Sequence, residues 1–529
     1  MQPYLIIDLS DRNIFPVIIN SNGQIFYCVN NVKEMKCRHF STEVYLEKIL
    51  YDGNKDDINE WLNNTVNELI NDSIDSFFTT NKKTGLLRAC DIKKQDLLHI
   101  DPLRNPLYVL SQHGVDDLIV ENPEFKKSSF ALLTFILKPV IRSIQRQGFH
   151  TGDLNVIAII PPYLSRVAQV ILLKVLKAIG FKRVTFITHS IASALNALKM
   201  TTSSDTIVIH SDATNLHIAH VSLEEQNKSI TIRNKKSITI PDLGCNRYGI
   251  INELSNYLVL KNKLSENDNY INIHIEKAFT GLIYGIFSNK IDYKNNKLKL
   301  TYNLLNNLIN EKFGLEIIDK IEKALYKILS GAGINEIPVV TSGPLFMFDS
   351  FEKLIQKKFN GLSIPGLSDK IAVERPVWGL IDTLYNITQF PEKDIIIINE
   401  NALCLTSSEK SCENIIPSAI FPLSPDEHRI ILQDLEINSL DKKFDEIITV
   451  DLLWGNDCNP FYNTSLCTIQ FDASKEDIQN NHKIKLNLYL KGINNGIKGK
   501  VIANYKNNPT EIKKLNFPIT NTITYLNKK

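Results

Sequence analysis

Glycine is scarce in this chain, 22 of 529 residues, where about 7% is usual. Loops that wrap phosphate with their backbone amides draw on glycine, because it alone tolerates positive φ and close backbone approach. A nucleotide site of that kind therefore has little raw material here. The eight cysteines, Cys28, Cys37, Cys90, Cys245, Cys404, Cys412, Cys458 and Cys467, never form a CxxC pair, so a zinc knuckle or redox dithiol is not expected and the thiols read as free and reduced. Sixty basic against 58 acidic residues leave a net charge of +2, too little field to argue for nucleic acid or an anionic membrane as partner. No apolar run approaches the roughly 18 residues of a membrane span. The opening Met1-Gln2-Pro3-Tyr4-Leu5-Ile6-Ile7-Asp8 has no basic segment before its apolar residues, so no secretory leader is read and a soluble, cytoplasmic protein is expected.

What is present begins with Asp394-Ile395-Ile396-Ile397-Ile398, four consecutive isoleucines between Lys393 and Asn399. Each buried branched side chain is worth about 1.5–3 kcal/mol, so this stretch should pair with or dock on something. Before it, helix and strand patterns mix. After it, short alternating runs dominate: Ala402–Thr406, Ile415–Phe421, Arg429–Leu435, Glu446–Trp454, Thr464–Phe471, Lys483–Leu490 and Lys500–Tyr505, the pattern of an antiparallel β-sandwich. Two architectures are therefore expected: residues 1–388, a linker at 389–400, a sandwich at 401–515, and a tail at 516–529 too short for a helical lid.

Within the first region, Tyr4–Leu9, Phe15–Asn20 and Gln24–Val29 read as a three-strand meander by their turn chemistry. Residues 30–130 are rich in Asn and Lys, with a helix expected near Ile58–Phe78 and strands near Leu86–Ile100. An apolar helix follows from Ser128, then a strand buried on both faces at Asn155–Ile160, a helix capped by Ser165 and ended by Gly180, and a strand at Arg183–Ile187. The pattern then repeats. Thr206–His210, Leu216–Val221 and Ser229–Arg233 form a second meander, Glu316–Leu329 an amphipathic helix, and Ile337–Val340 a buried strand closed by Thr341-Ser342-Gly343-Pro344. Two like halves in one domain indicate an internal duplication with a ligand cleft between them.

Three segments in this order carry a resemblance. Val156–Leu164 with the helix to Ile179-Gly180-Phe181, the linker Lys393–Ile398, and Ile415–Pro422 opening the sandwich are similar to the corresponding segments of the Hsp70 family. The resemblance implies an α/β actin-like domain of two duplicated lobes followed by an antiparallel peptide-binding β-sandwich. It further implies ATP with Mg as cofactor, extended apolar client polypeptide as partner, and a J-domain co-chaperone. The family's first phosphate loop, Asp-Leu-Gly-Thr-Thr-Asn, stands here as Asp8-Leu9-Ser10-Asp11-Arg12-Asn13, which keeps Asp8, Leu9 and Asn13 but not the glycine or either threonine. The second falls on His210-Ser211-Asp212-Ala213-Thr214-Asn215 and matches nowhere.

His189 takes the place of a water-positioning glutamate, and Gly281 and Tyr284 that of adenosine-clamping residues, with Ser288 the one fit. Gly343 and Gly379 match late family glycines. Candidate nucleotide contacts are thus Asp8, Asn13, Gly343 and Gly379, each equally readable as a strand end or a turn. Like-charge contact from Asp11 and Asp212 would cost phosphate about 1 kcal/mol at 4 Å. No catalytic residue is assigned, and ATP hydrolysis by the family mechanism is not expected.

Matching Ile447–Gly455 to the family's pocket strand puts Ile448 and Val450 on a client pocket, with Ile431 near it; the same residues also read as sandwich core. Glu409 and Lys410 stand where the family's arch over the peptide is apolar. His189, His210, His217 and His220 lack a carboxylate–cysteine set with ligand spacing, so no metal is assigned and they read as core or surface residues. The Asn, Lys and Ile excess suggests an AT-rich, reduced genome, in which a second Hsp70 relative would serve iron–sulfur cluster assembly through one dedicated scaffold protein. The alternative is a non-enzymatic actin-fold adaptor, and a third reading is an ATPase with rebuilt loops.

Overall fold

The computed structural model is mixed α/β, with two six-stranded sheets of mixed direction and several helices. It describes residues 3–9, 13–32 and 35–41, short strands between 44 and 127, most of 129–196, 204–262, 269–359 and 372–389, and beyond 394 chiefly the strands and residues 451–459. The helix read near Ile58–Phe78, most of Leu86–Ile100, the turns at 10–12 and 213–214, Ser288, the loop bearing Glu409 and Lys410, and Ile415–Pro422 lie outside these residues.

The first sheet is built from β1 (Tyr4–Asp8), β2 (Asn13–Ile19) and β3 (Ile25–Tyr27). Eight short strands, β4–β11, lie between Asn30 and Lys127. Two further strands, β12 (Asn155–Ile160) and β13 (Arg183–Thr188), complete the order β13-β12-β1-β2-β3, with β1 parallel to β12 and antiparallel to β2. Helices α1 (Ser129–Arg146) and α2 (Arg166–Ala178) cover one face, burying Leu133, Val140, Leu172 and Leu176 against Leu5, Ile7, Val156 and Ala158. A parallel strand can only follow its partner through such a crossover, which explains why β12 reads as continuously apolar.

After α3 (His189–Ala194), the strand plan recurs. The second meander is β14 (Asp205–Ser211), β15 (Asn215–Gln226) and β16 (Ser229–Pro241), and β19 (Val339–Ser342) lies parallel to β14 as β12 does to β1. Sequence reading ends the third strand of this meander at Arg233, whereas β16 runs on to Pro241. The structure makes it one strand, with a register shift at His220/Val221 of β15 that absorbs the mismatch. Between these strands run α4 (Arg247–Asn262), α5 (Asn269–Tyr284), the hairpin β17 (Lys290–Tyr293) and β18 (Asn296–Lys299), α6 (Tyr302–Lys312) and α7 (Gly314–Leu329), and after β19 come α8 (Asp349–Lys358) and α9 (Arg375–Gln389).

The isoleucine run is a strand, β20 (Asp394–Ile398), parallel to β16 in the register Ile230↔Ile395 and Ile232↔Ile397. Beyond it are β21 (Leu403–Thr406), β22 (Glu413–Asn414), β23 (His428–Leu435), β24 (Ile447–Trp454), β25 (Thr464–Asp472), β26 (Ile484–Ile493), β27 (Gly496–Tyr505) and β28 (Asn508–Pro518). They form two four-stranded antiparallel sheets, β22-β21-β24-β25 and β23-β26-β27-β28, with β25 beside β28. The last strand, β29 (Ile523–Leu526), returns to pair antiparallel with β20, so the second sheet runs β19-β14-β15-β16-β20-β29. Among the described residues, no helix is long and apolar enough to cross a membrane.

Candidate functional site

Helices α3 and α9 lie between the two large sheets and share a core with both. Ile6, Phe15 and Ile157 of the first sheet and Val208, Ala219 and Ile232 of the second all pack around Ile191, Leu195, Val377 and Leu380. The two helices approach very closely at Gly379, where a β-carbon would sit 2.2 Å from the carbonyl oxygen of Ala192. Asn196 fastens the crossing by donating to the Arg375 carbonyl at 2.8 Å. Gly379 is therefore explained by helix packing.

Asp8 ends β1 and Asn13 begins β2; both are buried, and the side-chain amide of Asn13 has no hydrogen-bond partner among the described residues. In the second half β14 ends at Ser211 and β15 begins at Asn215, and Gly343, which follows β19, packs against Ser211. Gly343 has φ +96°, and a β-carbon there would lie 1.8 Å from the Ser211 carbonyl oxygen. Glycine is obligatory at this point for backbone reasons alone. Ser211 Oγ accepts the Leu345 amide at 2.9 Å, so a hydroxyl caps the turn after Gly343.

Between these turns lies a group of imidazoles. His210 and His217 face each other across the β14–β15 pair. His189, brought in by the parallel crossover at the start of α3, stacks on His210 with centroids 3.6 Å apart and meets His217 edge-on at 5.2 Å. All three are buried. Burial is the main cause that lowers each of their pKa values, to about 3 for His210 and His217, with mutual repulsion adding to it for His189 and His210. The cluster is accordingly neutral at physiological pH.

Its hydroxyl partners fix part of the protonation pattern. Thr239 donates its single proton to Asp457 Oδ2 at 2.6 Å, so its oxygen accepts from His217 Nδ1 at 2.9 Å. His217 is thus protonated on Nδ1 and bears a lone pair on Nε2, which has no partner among the described residues. His210 Nδ1 joins Ser342 Oγ at 2.8 Å, and Ser342 joins Ser193 Oγ at 2.9 Å, a bond between the two halves. Among the described residues no group of three or more His, Cys, Asp or Glu side chains is arranged to hold a metal ion. Stacked rings direct their nitrogens side by side rather than at one point, which accounts for this.

A second bridge spans the halves farther along. His39 Nε2 lies 3.0 Å from Glu374 Oε1, Trp378 Nε1 donates to Glu374 Oε2 at 3.1 Å, and Tyr284 meets the His39 ring edge-on at 5.2 Å. The bonds from His39 and Trp378 outweigh burial and hold the Glu374 carboxyl below its usual range. Compared with protein-family models and with curated proteins, the chain matches none of them.

Four residues singled out from sequence thus play separate parts: Asp8 and Asn13 frame the first turn, Gly343 the second, and Gly379 a helix crossing. The cluster that sequence reading sets aside as core or surface is the histidine set, whose only sequence signal is that His210 and His217 fall on one hairpin. The client residues divide as well. Ile448 and Val450 share one face of β24, opposite Phe471 and Ile469 of β25, whereas Ile431 lies in β23 of the other small sheet, opposite Asn487. Their side chains lie outside the described residues.

The C-terminal sheets touch the second large sheet through the turn after β24. Asn456 Nδ2 donates to the Asn234 carbonyl at 2.7 Å, and the Ser237 and Cys458 amides bond to the Asn456 and Ser237 carbonyls at 2.9 and 2.8 Å. Asp457 is buried there, and burial raises its pKa to about 6 against the bonds from Thr239 and Asn459. The chain His217–Thr239–Asp457 therefore links the imidazole cluster to the inter-sheet contact.

Proposed function

We propose that this protein is a divergent Hsp70-type chaperone whose actin-like body does not cycle on ATP and whose C-terminal β-sandwich holds extended apolar segments. The observation that carries the reading is the repeated strand plan. A parallel strand joined to a three-strand meander occurs twice, with α3 and α9 between, and the isoleucine strand then leads into two antiparallel sheets.

The loss of nucleotide cycling rests on the contacts that join the two halves. Ser193–Ser342, His39–Glu374 and His189 against His210 and His217 join the halves directly. Neutral imidazoles supply no fixed positive charge for a triphosphate, and separating the halves would strip these buried groups of their partners. A second reading, the non-enzymatic actin-fold adaptor, is favoured by the same contacts, because halves joined directly suit a static scaffold.

Two measurements test the proposal. A fluorescent apolar heptapeptide should bind the full chain, and Ile448→Asp should abolish the signal; equal binding by the variant refutes the client site. ATP with Mg²⁺ at millimolar concentration should leave the melting temperature unchanged, since only a ligand of the folded state raises it. An ATP-dependent rise would overturn the loss of nucleotide binding. Mass that grows with protein concentration, in a chain that ignores peptide, would favour the adaptor.

A further inference from the structure

A row of isoleucines at the rim of a sheet is a template for strand addition, because one side of its backbone amides and carbonyls lacks a neighbour. In this chain β20 has neighbours on both sides. Its inner edge lies along β16, and its outer edge carries β29 in the register Ile395↔Leu526, Ile396↔Tyr525, Ile397↔Thr524 and Ile398↔Ile523.

Directly paired residues of antiparallel strands share a face, so Leu526 sits beside Ile395. Both are buried, at 3% and 7% exposure, and Ile397 is fully enclosed. They belong to the core that α3 and α9 share with both large sheets, and β29 also runs against β13 of the first sheet. The tail strand thus completes a seam to which both halves of the body contribute.

We propose that the outer edge of Ile395–Ile398 is a binding site for an extended, antiparallel apolar segment, and that the chain fills it in cis with its own Ile523-Thr524-Tyr525-Leu526. Recognition comes from two sources. The backbone ladder is indifferent to sequence, while the buried space beside Ile395 requires an apolar side chain at the position of Leu526. Occupied, the site keeps β20 paired on both edges and holds it on β16. This inference rests on strand pairing and burial and stands whether or not the C-terminal sheets bind client peptide.

The test uses a fluorescein-labelled peptide of residues 521–529 with two proteins, the full chain and a chain ended after Pro518. The shortened chain should bind the peptide. The full chain should bind it at least about tenfold more weakly, because its own tail competes at the high effective concentration of a tethered ligand. The Leu526→Asp peptide should not bind either protein. Amide hydrogen exchange supplies a second readout in the full chain, where Leu526→Asp should speed exchange of Ile395–Ile398 by about tenfold or more while Ile207–Ile209 of β14 keep their protection. Equal peptide binding by both proteins, or no binding by a shortened chain that retains its Ile207–Ile209 protection, overturns the site. If the shortened chain does not fold, unchanged exchange of Ile395–Ile398 in the Leu526→Asp chain overturns it alone.

Discussion

Lowering the pH from 7.5 to 5.5 should destabilise the protein by about 3 kcal/mol through the buried imidazoles, net of one opposing carboxyl. His189, His210 and His217 all have folded-state pKa values below the ordinary 6.5, about 3 for the latter two. A depressed folded pKa means that the unfolded chain takes up protons first. The stability these groups contribute is therefore present above pH 6.5 and is lost as the pH falls toward 3. At pH 5.5, one unit below the unfolded value, each contributes a loss of about 1.4 kcal/mol, roughly 4 for the three.

Asp457 acts in the opposite sense. Its folded pKa is raised to about 6, so it favours the folded state as the pH falls through 6, returning a little under about 1 kcal/mol at pH 5.5 by the same relation. The lowered pKa values of Asp205 and Glu374 matter only in stronger acid. Urea unfolding followed by the fluorescence of Trp378 and Trp454, both buried, measures the difference at the two pH values. His217→Asn keeps a donor toward Thr239 and removes one titration, so it should reduce the net pH effect by about 1.4 kcal/mol, a little under half. Equal unfolding free energies at pH 7.5 and 5.5 would refute the buried, neutral cluster.

Two substitutions probe the same region. Gly343→Ala should cost about 2–4 kcal/mol, from positive φ and from the methyl meeting the Ser211 carbonyl, read as a drop in urea midpoint; a change under about 0.5 kcal/mol contradicts the backbone explanation. Thr239→Val leaves both His217 Nδ1 and Asp457 Oδ2 without their hydroxyl and should cost about 1–3 kcal/mol. It should also speed proteolysis at the turn after β24, and an unchanged cleavage rate would separate that contact from the imidazoles.

Local chemistry made much of the body readable from sequence. The turns at Ser21-Asn22-Gly23 and the continuous apolar run Asn155–Ile160 announce β2, β3 and β12, and the four isoleucines announce a strand that must dock. Long-range pairing leaves no such mark. His39 and Glu374 are 335 positions apart, and nothing in either neighbourhood names the other. His189 joins His210 only because a parallel crossover delivers α3 to the second sheet. β28 and β29 escape a reading that ends its strands at Tyr505. The stretch Glu511–Phe517 is interrupted by Lys513 and Lys514 and lacks clean alternation, and a four-residue strand is too short for any period to register. The loop comparison singles out Gly343 and Gly379, but nothing in the sequence indicates that close backbone approach requires glycine at the first and a helix crossing at the second.

The C-terminal sheets leave the body after Ile398 and rejoin it at Ile523, on strands that lie side by side. Their two connections, residues 399–402 and 519–522, can each reach at most about 18 Å even when fully extended. Stitched to the body at these two adjacent points, and bonded to β16 a third time through Asn456, Asp457 and Cys458, the sheets are pinned at a triangle of attachments rather than hung from a single tether.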